Sequence, residues 1–340
     1  MVISLRKMIL PAALIAVLLA ALGLLAIKTA SRNKSQATAL MGGTVHAMAS
    51  VDNVKAESAS GNIDFSRFQR PSSQIALDNK YTFAQFDQNR NRQPLSLDHF
   101  QTPEDVILAY FGILRDASNM EGYSGGCGTI GSATLPYPYA YKLLSDSRQK
   151  NITLKQFEDS FNGIGHLTLL KLFPAYTPPG TPENIRYHMI EAEVITGAAA
   201  GDPAGYRSGS HFAYFYGIVT TELNQSKGWK IKAIDYFPED FLCAPYHGWH
   251  FDAQYFVPII YQSLYHLIDK VDGTEQDGNM ISVYASGGGK QYRFDFVRIT
   301  NGEDVLLHEM VYQNGRWVET NLLKDQAYKL SILNPNLTQG

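Results

Sequence analysis

Met8 to Ile27 reads MILPAALIAVLLAALGLLAI, a stretch without a single charge. As a helix its length of roughly 30 Å matches the hydrocarbon core of a bilayer. Pro11 stands near its start, where a missing N–H does least harm. A cleaved signal peptide is the competing reading, but its apolar region usually runs only about 7–15 residues. The Ala37-Thr38-Ala39 pattern lies far beyond the run, and Lys28-Thr29-Ala30 makes a poor cleavage site. Residues 8–27 are therefore expected to be a single-pass membrane anchor. Arg6 and Lys7 before the run are offset by Lys28, Arg32 and Lys34 after it. The long C-terminal body is expected on the extracytoplasmic side, or secreted if cleavage does occur.

From residue 31 to about 100 no period persists in a chain rich in Ser, Ala, Asn and Gln, which reads as a polar, largely disordered tether. Tyr81 to Phe86 stands out as a stray strand. Order begins at Thr102-Pro103-Glu104-Asp105, an N-cap followed by proline at the first helical position. Val106, Ile107, Tyr110, Ile113, Leu114 and Ala117 then recur at helical spacing. A short helix is expected around 139–149 and another from Thr153, which pairs with Gln156 as a capping box.

The period then changes to that of strands near 166–175, 184–197, 210–223 and 228–237. Residues 252–271 carry the apolar stripe of an amphipathic helix, with Pro258 starting or kinking it. Four more strand-like runs follow at 280–286, 290–300, 304–313 and 316–322. Gly287-Gly288-Gly289, Asn301-Gly302 and Asn314-Gly315 supply the turns. The reading is an α+β chain: anchor at 1–30, tether at 31–100, helices on an antiparallel sheet at 101–245, a helix plus four-stranded meander at 246–325, and a tail at 326–340.

Composition narrows the function classes. Hydrophobic residues make up 45% and charged residues 18%, enough apolar matter for a packed body. The net charge of −3, with no dense basic run, excludes a nucleic-acid partner of the usual electrostatic kind. Two cysteines do not make a thiolate metal centre. Gly126 to Gly131 matches G-x-G-x-x-G, but a helix precedes it and prolines follow, so no dinucleotide or other cofactor is expected.

The TPEDVILAYFGILRD helix, the YKLLSDSRQKNITLKQFEDSF helical pair and four strands ending in WKIKAIDYF together resemble the NTF2-like superfamily, whose helices sit in the concave face of a curved sheet. The helix and meander of 252–322 resemble its simpler cystatin-like form. That superfamily contains enzymes, ligand-binding proteins and envelope scaffolds, and tandem membrane-anchored copies occur in secretion and conjugation machinery. In such a cone Cys127 and Cys243 would meet at one end of the sheet, where a disulfide would be worth about 4–5 kcal/mol in the chain-entropy picture. The resemblance also implies that Tyr110, Tyr141, His188, Tyr214 and Asp235 face inward, where the family's enzymes keep an acid or base.

The densest polar and aromatic run is Cys243 to Asp252. His247 and His250, three apart, would share one side of a helical turn with Asp252 nearby, as in a two-histidine, one-carboxylate metal site. The plainer reading makes this stretch a turn, with Asp252 capping the next helix and Tyr246 and Trp249 packed over the sheet end. No catalytic constellation emerges. The expected function is an extracytoplasmic binding or scaffold protein with an unknown protein or small-molecule partner, Tyr246, His247, Trp249, His250 and Asp252 being its candidate binding residues. An enzyme or metal-binding protein using the same cluster is the alternative.

Overall fold

Thr102 accepts a hydrogen bond from the Asp105 amide (3.2 Å), and Thr153 forms a reciprocal capping box with Gln156, so both helix starts follow their sequence signatures. The structure, a computed structural model, describes residues 38–46, 77–120, 134–197, 211–239 and 252–323. The chain divides into two compact units, Met1–Thr38 and Ala39–Gly340.

Along the chain come β1 (Thr38–Leu40), β2 (Gly43–Val45), α1 (Phe83–Phe86), α2 (Pro103–Leu114), α3 (Tyr137–Lys142), α4 (Asp146–Asn151) and α5 (Leu154–Asp159). Four long strands follow: β3 (Ile164–Pro174), β4 (Ile185–Thr196), β5 (His211–Asn224) and β6 (Gly228–Pro238). Next is α6 (Ala253–Phe256), which passes into a π-helix at Val257–Leu264. The meander is β7 (Lys270–Asp277), β8 (Met280–Gly287), β9 (Lys290–Arg298), β10 (Asp304–Gln313) and β11 (Arg316–Thr320).

The first sheet runs β1-β2-β6-β5-β4-β3, antiparallel from β6 to β3 with β2 added in parallel to β6. The second runs β11-β10-β9-β8-β7 and is antiparallel throughout. Alternation along the long strands loads both faces of the first sheet. Ile190, Ala192, Val194, Val219, Ile234 and Tyr236 pack under the helices. Met189, Tyr216, Ile218 and Phe237 instead join a core built from α6, the π-helix and the inward side of the second sheet. The two regions read from sequence as separate domains therefore share one core.

Several expectations need correction. Met41, Phe83, Phe86 and Phe100, all in the stretch read as tether, are buried in the first core. Such isolated anchors in a polar background create no period, so the pattern hid them. Residues 83–86 form a helix instead of a strand, capped by Thr82 and Gln85. The meander has five strands, not four. Its edge strand β7, KVDGTEQD, is exposed on both faces and so lacks any apolar alternation, yet it pairs with β8 from Lys270↔Ser286 to Asp277↔Met280. The helix expected to reach Val271 ends at Leu264, and His266 turns the chain with φ of 51°.

Candidate functional site

Among the predicted site residues, Tyr246, His247, Trp249 and His250 lie outside the described residues, as do Cys127, Cys243, the Gly126–Gly131 loop and the apolar run 8–27. Asp252 is described. Its carboxylate accepts from the Gln254 amide (3.0 Å) and Gln254 Nε2 (3.3 Å), the work of a helix N-cap. Among the described residues no helix is long and apolar enough to cross a membrane.

The interior beneath the helices is filled by the chain itself. Tyr110, Phe111, Tyr137, Phe157, Phe161 and Tyr236 are all buried there. Tyr137 and Phe161 lie with ring centroids 4.6 Å apart, and Phe157 meets Phe161 edge-on at 5.1 Å. Of the residues expected to face inward, Tyr110, Tyr141 and His188 belong to this body, whereas Tyr214 and Asp235 alternate onto the opposite face of the sheet, away from Ile234 and Tyr236, and each of the five has a partner of its own. The Tyr110 hydroxyl donates to the Met41 carbonyl (3.1 Å) and that of Tyr141 to the Ile152 carbonyl (2.8 Å). Burial lowers the pKa of His188, outweighing Glu104, which sits 2.8 Å from its Nε2. The neutral ring donates to Glu104 and leaves Nδ1 without a partner. Asp235 contacts Nε2 of His46 (2.8 Å), and burial raises its pKa.

Tyr214 faces the other way, into a buried polar joint between the two sheets, and donates to Glu193 (2.7 Å). At this joint Lys171 on β3 is ion-paired with Glu191 on β4, both almost fully buried. Glu191 also accepts from the Thr300 amide (2.6 Å), in the turn between β9 and β10. Both carboxyl oxygens of Glu239 are buried there without a hydrogen-bond donor. Burial above all, then the neighbouring Glu191 carboxylate, holds the Glu239 pKa well above the usual glutamate range, with Lys171 pulling the other way. The same setting, burial first and then Glu303 and Glu239, keeps Tyr216 neutral.

One concavity is a cleft of about 470 Å³ on the outer side of the first sheet, within the size range of small-ligand sites. Three elements build it. The loop between β3 and β4 forms a wall of Pro178, Pro179 and Pro182, stiffened by hydrogen bonds from Thr181 N (3.1 Å) and its hydroxyl (2.7 Å) to the Pro178 carbonyl. Helix α4 faces it with Ser147, Arg148 and Asn151. Its start is fixed to the sheet edge, where the Ser145 amide donates to Ile231 O (2.8 Å) and the Ile231 amide donates to Leu143 O (2.9 Å). The floor comes from β5 and β6. There Thr220 pairs with Ala233 but Thr221 with Ile231, so Lys232 is the extra residue of a β-bulge and is lifted into the cleft wall.

Neither Arg148 nor Lys232 is marked in the sequence. Lys230 and Lys232 look equivalent in WKIKAIDYF, yet Lys230 is buried, donating to the Leu97 (2.9 Å) and Lys142 (3.1 Å) carbonyls. The bulge that separates their fates carries no sequence signal of its own.

No family model matches the sequence, and no curated protein matches it. Among solved structures, an NTF2-like protein involved in plasmid conjugation is similar at 8% identity and a TM-score of 0.21, over 62% of this chain and 91% of that one. So distant a match says nothing about activity. The chain itself is α+β, short helices with a six-stranded and a five-stranded sheet among the described residues.

Proposed function

We propose that this chain is a binding or scaffold protein of the cell envelope, without catalysis, held in the membrane by residues 8–27 with its body outside the cytoplasm. In this reading residues 101–245 are an NTF2-like unit, 246–325 a cystatin-like one, and Cys127 and Cys243 pair in an oxidising compartment. The observation that carries it is the filled interior: Tyr110, Tyr137, Phe157 and Phe161 occupy the space under the helices. A cone packed with its own aromatics has no room for a substrate and serves as a rigid body whose surface does the recognising.

Two measurements test the reading. A topology reporter fused after Gly340 should be active only on the extracytoplasmic side, with the product in the membrane fraction. A cytosolic signal, or full-length protein soluble without detergent, overturns the location. Metal analysis of the purified full chain addresses the role. Metal held by wild type and lost from both His247→Ala and His250→Ala would establish the metal-site alternative; metal-free protein, with both variants folding as wild type, supports a binding role.

A further inference from the structure

The geometry points to the cleft beside α4 as a binding site for a small organic anion, a phosphate or carboxylate head on an apolar body. This deepens the reading of the chain as a binding protein and is independent of where the body resides.

Unspent donors carry the argument. Arg148 has five N–H donors. One, on Nη2, reaches the Gly42 carbonyl (3.2 Å), and Nε is buried with no acceptor. Thr220 is only 5% exposed, and its hydroxyl likewise lacks a partner. Lys232 stands 3.5 Å from Glu222, too long for a strong charge-assisted bond, and its side chain is 43% exposed. Glu222 is the carboxylate at this rim, shared with the Ser147 hydroxyl (3.3 Å). Two cations, Arg148 and Lys232, thus line a cavity that also holds Asn151, with Glu222 beside Lys232 and Asp235 near enough to Arg148 for their charges to interact. The buried Arg148 Nε and Thr220 hydroxyl lie beneath the cleft surface, while the outer N–H groups of Arg148 and the part-exposed Lys232 ammonium are donors that one oxyanion in the cleft can answer together. Arginine's planar fork suits phosphate and carboxylate alike.

The remaining wall fixes the rest of the ligand. Pro178, Pro179, Ile185 and Tyr187 give an apolar, conformationally stiff side opposite the cations. A cleft of about 470 Å³ exceeds what an inorganic anion fills, so the ligand has a ring or short hydrocarbon body as well as a charged head. Preformed walls keep the ordering cost of binding low.

The test titrates phenyl phosphate, benzoate and benzyl alcohol into the full-length chain in detergent micelles by calorimetry. At least one anion is expected to bind saturably, more weakly as salt is raised, with benzyl alcohol inert. The stronger anion identifies phosphate or carboxylate as the natural head. Lys232→Gln and Arg148→Gln should each weaken binding at least ten-fold. Arg148 also holds Gly42, so Lys232→Gln, with an unchanged melting temperature, is the deciding variant. Absence of saturable binding by both anions, or wild-type affinity in Lys232→Gln, overturns the proposal and leaves the topology result untouched.

Discussion

At the scale of single residues, the joint between the sheets is where charge and burial conflict most. Glu191 has an ion pair with Lys171 and a backbone amide to answer it, whereas Glu239 accepts no hydrogen bond, feels Lys171 only at longer range and shares the site with another carboxylate. The folded state therefore favours the protonated acid at Glu239, with a pKa above its unfolded value of about 4.3. Between those two values the native chain binds more protons than the unfolded chain, so this residue's contribution is full at acid pH and is lost as pH rises. Glu239→Gln, which keeps the shape and removes the titration, should raise the free energy of unfolding at pH 7–8 by about 1–3 kcal/mol, seen as a higher melting temperature. The gain should vanish near pH 4. A variant less stable than wild type across this range would refute the assignment.

At the scale of elements, close backbone packing sets which glycines are replaceable. A Cβ on Gly217 of β5 would stand 2.0 Å from the Asp235 carbonyl oxygen, a backbone atom that has nowhere to go. On Gly273 of β7 it would meet nothing within 4 Å. Denaturant midpoints should therefore separate Gly217→Ala, costing about 3 kcal/mol or more, from Gly273→Ala, within about 0.5 kcal/mol of wild type. Equal tolerance at both positions would contradict the β5–β6 register. The same elements mark how far sequence reasoning reached. The strands β3 to β6 and β8 to β11 were legible to within a residue or two, because alternation and paired turn residues are local signals. Asn314 and Gly315 both take positive φ (51° and 79°), as that hairpin dipeptide implies. Strand β7 was not legible, nor was the insertion of β2, since each is ordered by a neighbour distant in sequence. The cleft was missed for the same reason: Arg148, Thr220 and Lys232 converge only through a bulge and a helix docked on a sheet edge.

At the scale of the whole molecule, the shared core makes the second sheet a structural necessity for the first. Met189, Tyr216, Ile218 and Phe237 are shielded through α6, the π-helix and the meander. A chain ending at residue 251 would present this apolar surface to water. It is expected to aggregate, whereas the full body should unfold in one calorimetric transition with matching van't Hoff and calorimetric enthalpies. Two resolved transitions, or a soluble monomeric truncation, would show that the halves are independent.

The parallel insertion of β2 has a mechanical consequence. Thr44 and Val45 pair with Asp235 and Tyr236, and neighbouring links run from the His46 amide to Tyr236 O (2.9 Å) and from the Met41 amide to Ser160 O (2.9 Å). Tension entering along the chain from its N-terminal end, as the proposed anchorage would impose, passes through β1 and then these bonds before it reaches the four long strands of the sheet. Strands pulled along their length load their cross-links together instead of one after another, so this short ladder acts as a shear clamp between the pulling point and the core.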